Sequence, residues 1–190
     1  MVEGMKLSEL LRGREERAAC QVSLLEDFDA VVQVALNIPG LPKDPPGAEA
    51  CVATVARRFV ERLGRVPQRE VVLANGAGPA RLLAFSSLDG ETLKALALTL
   101  EEEKSWGRLL DIDVIDVRGA LSREGMDGSP RSCLLCDLPA KTCARLAGHR
   151  PEALRTATLA LLAAALDDLG LTSSTPGGAD PSRATGPEEP

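Results

Sequence analysis

Aromatic side chains are nearly absent from this sequence, so it lacks the usual means of stacking on nucleic-acid bases. They make up 2% of the 190 residues, and there is no tyrosine. Stacking on aromatic rings supplies much of the binding of single-stranded nucleic acids. The formal net charge of −6 also disfavours attraction to DNA or RNA phosphates. The composition therefore argues against nucleic acid as a partner.

Long apolar stretches are missing as well. No uninterrupted run of about 18 apolar residues occurs, so no membrane-spanning helix is expected. The amino-terminal stretch is charged and amphipathic, without the apolar segment of a secretory signal. A cytoplasmic protein is the expectation. In that reducing compartment the five cysteines are predicted to be thiols or metal ligands rather than disulfides.

The hydrophobic pattern predicts one α+β domain over residues 1–170, followed by a disordered tail over 171–190. The tail is rich in Pro, Gly, Ser and Thr, with too few large apolar side chains to offset the entropy cost of ordering. The domain is predicted to contain a mixed or antiparallel sheet packed with helices. Helices are predicted at 6–27, 48–64, 90–103 and 151–170, strands at 30–38, 70–75, 80–86 and 108–117, and a loop-like segment at 124–150.

Two carboxylates lie at alternate positions of a predicted strand, in the run GRLLDIDV. Side chains on a strand alternate between its faces, so Asp111 and Asp113 point the same way, about 6.6 Å apart along the backbone. A divalent cation between them would remove their repulsion, and hard oxygen ligands suit Mg²⁺. Arg108 is placed where it could bind a phosphate bidentately. The alternative is an edge strand whose solvent face carries aspartates without a metal.

The region around this strand is the basic part of an acidic chain. Residues 104–150 hold eight Lys or Arg and six Asp or Glu, a net of +2 against −8 for the rest. Such a surface suits a polyphosphate substrate or an acidic protein partner, and it includes Arg123 and Arg131. Each arginine could equally be ordinary surface charge. Asp116, which has the opposite parity to the carboxylate pair, is predicted to be a solvated strand end.

The only histidine of the chain follows a group of cysteines. The pattern is Cys133-x2-Cys136-x6-Cys143-x5-His149. A CxxC pair with one more cysteine and a histidine supplies the four ligands of a tetrahedral zinc site. Zinc would hold a segment that has little secondary structure of its own. Reduced structural thiols and a redox pair are the alternatives, because the second spacing differs from that of zinc fingers.

Several of these segments together resemble one family of enzymes. The main matching residues are GRLLDIDV over 107–114, Ser122-Arg123, PRSCLLC over 130–136, Cys143-Ala144-Arg145 and His149. Their order is similar to that in the holo-acyl-carrier-protein synthases of citrate lyase, the CitX family of apo-citrate lyase phosphoribosyl-dephospho-CoA transferases. Weaker amino-terminal matches are Arg14-Glu15-x-Arg17 with Gln21, and Asn37-Ile38-Pro39-Gly40 with Lys43. The resemblance extends from about residue 8 to about residue 169.

The resemblance implies a nucleotidyltransferase-like fold and a defined reaction. A serine hydroxyl of the acyl carrier (gamma) subunit of citrate lyase attacks the phosphate next to the ribose of triphosphoribosyl-dephospho-CoA, and pyrophosphate leaves. Asp111 and Asp113 would be the catalytic residues and would hold Mg²⁺, which stabilises the leaving pyrophosphate. Substrate phosphates would be bound by basic side chains, namely Arg108, Arg123, Arg131, Lys43, Arg14 and Arg17.

The chain departs from the family pattern at one point, and other functions stay open. Relatives carry a His-Pro pair just ahead of the Gly-Arg, where this chain has Lys104 and Ser105. One alternative is the holo-carrier synthase of malonate decarboxylase, or another nucleotidyl transfer, although the cysteine cluster favours citrate lyase. The other is a non-catalytic, zinc-bearing module that docks an acidic carrier protein and tolerates changes at Asp111 and Asp113.

Overall fold

A computed structural model describes residues 2–126 and 130–172, with side chains from residue 7 onward. Its centre is a sheet in the order β2-β3-β1-β4-β5, in which all neighbouring strands are antiparallel. The strands are β1 (Ala30–Leu36), β2 (Arg69–Asn75), β3 (Gly78–Phe85), β4 (Leu110–Asp116) and β5 (Gly119–Ala120). The predicted α+β class is confirmed, with a sheet that is antiparallel rather than mixed.

Helices pack on both faces of this sheet. The helices of the described residues are α1 (Val2–Asp27), α2 (Ala48–Leu63), α3 (Gly90–Glu102), α4 (Ala140–Arg145) and α5 (Pro151–Asp168). Gly64 ends α2 in the left-handed conformation, at a φ of 65°. Asp89 begins α3 by accepting a hydrogen bond from the backbone N–H of Thr92 at 2.7 Å. The predicted ends of these two helices are thereby confirmed.

The sheet buries apolar side chains on both faces. On one face Val32, Leu83 and Ile112 belong to the main core, which α2, α3 and α5 cover. On the other face a smaller cluster that includes Val31 packs against Leu24 of α1. Because neighbouring residues of a strand point to opposite faces, β4 contributes Leu110, Ile112 and Val114 to the main core and presents Asp111 and Asp113 on the α1 face.

Two buried charged side chains of α3 cover the outer edge of β4. Glu101 accepts a hydrogen bond from the backbone N–H of Ile112 at 2.9 Å, and Lys94 donates to the carbonyl oxygen of Ile112 at 3.1 Å. An edge strand would otherwise leave these backbone groups unpaired. β5 pairs only with Ile115 and Asp116, so the edge of β4 at Ile112 is covered by α3 instead.

The structure corrects three expectations from the sequence. Arg108 lies in a 3-10 turn rather than on the strand, because Trp106 and Leu109 turn into the core before β4 begins. Asp116 is buried rather than solvated, because it lies on the core side of β4 and pairs with Arg118 at 2.8 Å. The segment 124–150 is less irregular than predicted, since it contains α4 and a second 3-10 turn.

The predicted disordered tail lies outside the described residues from position 173 onward, so the boundary near residue 170 stays a prediction. The last described helix ends there as expected, with Gly170 in the left-handed conformation at a φ of 69°. Within the described part of the chain, none of the helices combines the length and apolarity that crossing a membrane requires.

Candidate active site

Asp111 and Asp113 lie side by side on β4, on the face that α1 partly covers. Pairing with β1 sets Asp111 opposite Ala35 and Asp113 opposite Gln33. Buried and partly exposed residues alternate along β4, which confirms that both carboxylates share a face. α1 packs over β1, β2 and β3 and leaves the side chain of Asp111 46% exposed. A ligand can therefore reach the carboxylate pair from beside α1.

A chain of amide side chains joins α1 to this pair. Gln21 donates from Nε2 to Oε1 of Gln33 at 2.9 Å, and Gln33 donates from Nε2 to Oδ2 of Asp113 at 3.3 Å. Burial, and then the neighbouring charge of Asp111, raises the pKa of Asp113 above its ordinary value. A divalent cation would stabilise the ionised form of both carboxylates, and oxygen ligands are those that Mg²⁺ prefers. The side chains present thus fit a magnesium ion.

Magnesium is expected to stabilise the folded protein. The raised pKa means that the folded state holds the Asp113 proton more tightly than the unfolded chain, so ionisation as the pH rises to neutrality costs folding free energy. We expect a saturating concentration of MgCl₂ to raise the Tm of the wild type by about 3 °C. Asp113→Asn should raise the Tm in the absence of metal and remove the response to magnesium. Calorimetry with and without MgCl₂ measures both, and a response retained by Asp113→Asn would contradict the site.

On one side of the pair, a cavity of about 270 Å³ lies between β4, α1 and the loop after β1. We call it the α1-side cavity. Its lining brings Asp111 together with the amino-terminal basic candidates predicted from the sequence, Arg14, Arg17 and Lys43. These residues are far apart along the chain, and they meet because α1 and the loop after β1 both adjoin the same end of β1.

Backbone carbonyl groups hold two of the basic side chains of this cavity. Arg17 donates to the carbonyl oxygens of Ala77, in the β2–β3 turn, at 2.9 Å and of Gly78, where β3 begins, at 2.7 Å. Lys43 donates to the carbonyl oxygen of Ile38. Burial lowers the pKa of Arg17, and burial together with Arg14 lowers the pKa of Lys43. Both charged groups are therefore partly desolvated, and an anion in the cavity would stabilise them.

On the other side of the pair lies a cavity of about 580 Å³, between α3 and the segment that carries the cysteines. We call it the loop-side cavity. Asp113, Arg123 and Arg131 line it. Glu101, whose side chain is 4% exposed, holds both arginines, with contacts of 2.5 Å to Arg123 and 2.7 Å to Arg131. Arg131 also approaches Asp111 at 3.7 Å. The structure thus gathers Arg123 and Arg131 beside the carboxylates.

Arg108 makes a different contact. Its guanidinium donates to the carbonyl oxygens of Ser132, at 3.4 Å, and of Cys133. It lines a depression of about 490 Å³ that shares Arg123 and Arg131 with the loop-side cavity but is lined by neither Asp111 nor Asp113. Arg108 therefore ties the turn before β4 to the cysteine segment, and its proposed contact with phosphate stays a prediction.

Three residues around the carboxylates were not anticipated from the sequence. Gln33 is the only polar residue of β1, in the run AVVQVAL. A single polar residue in an otherwise apolar strand could have indicated that its side chain has a polar partner. Lys94 and Glu101 stand on the buried face of α3, seven positions apart and hence on one side of the helix. A charged residue on the apolar face of a helix needs a partner, and both find theirs in the backbone of Ile112.

The predicted cysteine cluster converges to one point. The four ligand atoms of Cys133, Cys136, Cys143 and His149 all lie within 4.8 Å of one another. The sulfur of Cys136 is 3.8 Å from that of Cys143 and 3.2 Å from Nε2 of His149. Hydrogen bonding to Cys133, with burial, raises the pKa of Cys143 to about 12. This donor set could hold a structural metal such as zinc, which would bind the thiols as thiolates.

The segment that carries Arg131 also carries the cysteine cluster. We call residues 130–150 the cysteine loop. The backbone N–H of Cys133 donates to the carbonyl oxygen of Leu138, and that of Ala140 to the carbonyl oxygen of Arg131, both at 2.7 Å. Arg131 therefore lies at the base of a narrow hairpin whose far end contains two of the four ligands. A metal in the cluster would support the position of an arginine in the loop-side cavity.

Zinc content tests this centre directly. We expect the purified protein to contain about one equivalent of zinc, and Cys143→Ser to contain almost none, because three ligands hold Zn²⁺ far less tightly than four. Elemental analysis by mass spectrometry measures both. Cys20→Ser, a change at a free thiol on α1, is the control and should keep its zinc. A wild type that neither contains nor takes up zinc would rule the metal out.

Comparison with known proteins identifies the family of this chain. The sequence matches the family described as CitX: Apo-citrate lyase phosphoribosyl-dephospho-CoA transferase over residues 5–165. The chain belongs to the CitX family. A probable apo-citrate lyase phosphoribosyl-dephospho-CoA transferase of Streptococcus pyogenes serotype M5 (strain Manfredo) is 34% identical over 168 residues, which are 84% of this chain and 86% of the relative. The protein of that name from Vibrio cholerae serotype O1 (strain M66-2) is 32% identical over 155 residues, or 79% and 87%.

Membership of the CitX family confirms the resemblance seen in the sequence. The matched range includes the carboxylate strand, the cysteine loop and the amino-terminal basic residues. Lys104 is one of the two residues that stand where relatives carry the His-Pro pair. Its ammonium group pairs with Asp168 of α5 at 3.0 Å. The only histidine of this CitX protein belongs to the cysteine cluster and lines neither of the two cavities beside the carboxylates.

Proposed function

We propose that this protein transfers the phosphoribosyl-dephospho-CoA group of triphosphoribosyl-dephospho-CoA to a serine of the acyl carrier subunit of citrate lyase. The observation that carries the proposal is the position of the carboxylate pair between two basic cavities. Asp111 lines the α1-side cavity and Asp113 lines the loop-side cavity. In-line displacement at phosphorus requires the attacking and leaving oxygens on opposite sides, and two cavities that meet at the carboxylates support such a geometry.

The α1-side cavity suits the triphosphate of the donor. Arg14, Arg17 and Lys43 supply positive charge there, and the partial burial of Arg17 and Lys43 strengthens their attraction for phosphate oxygens. A larger cavity of about 630 Å³ shares Lys43 with it and is walled by the proline-rich loop after β1 and the β2–β3 turn. That space is of the size that a nucleoside with an attached arm requires. The donor would therefore extend from the carboxylates past Lys43.

The loop-side cavity suits the acceptor serine. Its hydroxyl oxygen would form a new bond to the phosphorus next to the ribose, the bond from that phosphorus to pyrophosphate would break, and the hydroxyl proton would pass to solvent water. Asp111 and Asp113 would hold Mg²⁺, which when bound neutralises triphosphate charge and stabilises departing pyrophosphate. Arg131, placed beside Asp111 by Glu101, would neutralise charge on the transferred phosphate.

Release of pyrophosphate tests this proposal. The wild-type protein, MgCl₂, triphosphoribosyl-dephospho-CoA and the apo carrier subunit should yield one pyrophosphate for each carrier. An acceptor whose modified serine is changed to alanine should yield almost none, because no hydroxyl is present to attack. Pyrophosphate is measured with an enzyme-coupled assay. Equal release with both acceptors would mean hydrolysis rather than transfer and would sink the proposal.

Two alternative functions are distinguished by the same assay. The carrier subunit of malonate decarboxylase, offered at equal concentration, should react at least about tenfold more slowly in kcat/KM than that of citrate lyase. The reverse preference would reassign the protein to the other carrier. Binding of the carrier without any pyrophosphate release would identify a docking module instead of an enzyme.

A further inference from the structure

The cysteine loop combines exposed leucines with unpaired positive charge. Leu135, Leu138 and Leu146 are between 41% and 67% exposed. No other stretch of twelve residues in the described parts of the chain exposes three large apolar side chains. Isolated exposed leucines need no explanation, but three within one short segment indicate an interaction surface.

The charge of this segment is opposite to that of the whole protein. Residues 130–150 contain four basic residues and one acid, Asp137, so their net charge is +3 in a chain whose net charge is −6. Lys141 and Arg145 lie one helical turn apart on α4 and point along one side of it. Neither has an ion-pair partner among the residues that the structure describes. This contrasts with Arg123 and Arg131, which Glu101 holds.

The same side of α4 leads to the reacting groups. Lys141 and Arg145 line the loop-side cavity, whose inner end contains Asp113. The four ligand atoms of the cysteine cluster lie within 4.8 Å of one another, and α4, which carries Cys143 of that cluster, also lines the loop-side cavity. A partner bound to α4 would therefore present its surface at the entrance through which a nucleophile must reach the carboxylates.

We propose that this docking face, formed by Leu135, Leu138, Lys141, Arg145 and Leu146, binds the acceptor protein through an acidic surface that carries apolar side chains. The inference rests on the proposed function, which requires a protein acceptor on the loop side of the carboxylates. Charge complementarity selects the occupant, because the unpaired lysine and arginine favour an acidic partner and disfavour a second copy of this basic face. The leucines supply apolar area to be buried at the centre of the contact.

The test compares two pairs of adjacent residues with the same chemistry. Arg145 and Leu146 stand on the docking face, whereas Arg65 and Val66 are an exposed arginine and an exposed apolar residue in the loop after α2. The double variants R145E/L146E and R65E/V66E change the net charge equally. Fluorescence anisotropy with labelled apo carrier subunit of citrate lyase gives Kd for each, and zinc content and Tm establish that each is folded.

We expect R145E/L146E to raise Kd at least about tenfold and R65E/V66E to change it less than about twofold. Wild-type Kd should also rise with salt concentration, because unpaired charges contribute to the contact. If R145E/L146E loses zinc, K141E replaces it as the variant of the docking face, and R65E, with the same change of charge, is its control. Equal effects of the two double variants, or a carrier that the wild type does not bind, would overturn the docking face.

The outcomes for the docking face and for the proposed function can be told apart. Wild-type protein that modifies the carrier, with unchanged Kd in R145E/L146E and K141E, would reject the docking face and leave the transferase standing. Carrier binding that depends on Arg145 and Leu146, without release of pyrophosphate, would uphold the docking face and reject the transferase.

Discussion

Replacing Asp111 or Asp113 by asparagine is expected to lower the rate of group transfer about a thousandfold or more. Asparagine keeps the size of the side chain but removes one of the two negative charges that would hold Mg²⁺, and preorganised charge at the reacting phosphate is the main source of catalysis in such displacements. Initial rates of pyrophosphate release at saturating donor and acceptor measure the effect. The fold should be retained, because Asp111 is half exposed and asparagine at 113 can still accept from Gln33.

Asp116 provides a matched control on the same strand. It lies on the opposite face of β4, where it pairs with Arg118, and it lines neither the α1-side cavity nor the loop-side cavity. Asp116→Asn should therefore lower Tm slightly, through the weakened ion pair, and leave the transfer rate within about twofold of the wild type. A loss of activity in Asp116→Asn as large as in the other two variants would show that the strand is merely sensitive to any change of charge.

Replacing Glu101 by glutamine is expected to lower the free energy of unfolding by about 3 kcal/mol. Glutamine can still accept the hydrogen bond from Ile112, so the change isolates the lost charge. Two arginines, Arg123 and Arg131, would then remain in a largely buried site without their shared counter-ion. Urea denaturation followed by circular dichroism gives the free energy, and transfer activity should fall as well because Arg131 loses its support.

The adjacent Glu102 is the natural comparison for this variant. Its side chain is 64% exposed and also contacts Arg123. Glu102→Gln should change the free energy of unfolding by no more than about 0.5 kcal/mol, because an exposed ion pair contributes little in water. Similar losses for the two variants would mean that burial does not decide the importance of these contacts, and the account of the loop-side cavity would have to be revised.

The alternation of GRLLDIDV was sufficient to place both carboxylates on one face, since strand geometry fixes which side chains point together. The convergence of the four side chains of the cysteine cluster was also predicted, from their spacing and residue types. Gly64, Asp89 and Gly170 marked helix ends that the structure bears out, because the backbone demands of these ends favour few residue types. Local rules thus predicted much of the fold and the core of the site.

The relations between distant segments could not be predicted in the same way. That Arg17 and Lys43 meet Asp111 in one cavity depends on how α1 packs on the sheet, and no local pattern encodes that contact. Glu101 illustrates the same limit, because the sequence of α3 indicates a buried charge without indicating its partners. Arg108 appeared to continue the strand, yet the burial of a neighbouring tryptophan turned it toward the cysteine loop.

The intact mass of the carrier subunit tests the central claim most directly. Apo carrier subunit of citrate lyase is incubated with triphosphoribosyl-dephospho-CoA, MgCl₂ and either wild-type protein or Asp113→Asn, and its mass is then measured. The account predicts a gain with the wild type equal to the donor minus pyrophosphate, located on one serine, and no gain with the variant or with EDTA. An unmodified carrier after incubation with folded, zinc-loaded wild type, or a full gain with Asp113→Asn, would contradict it.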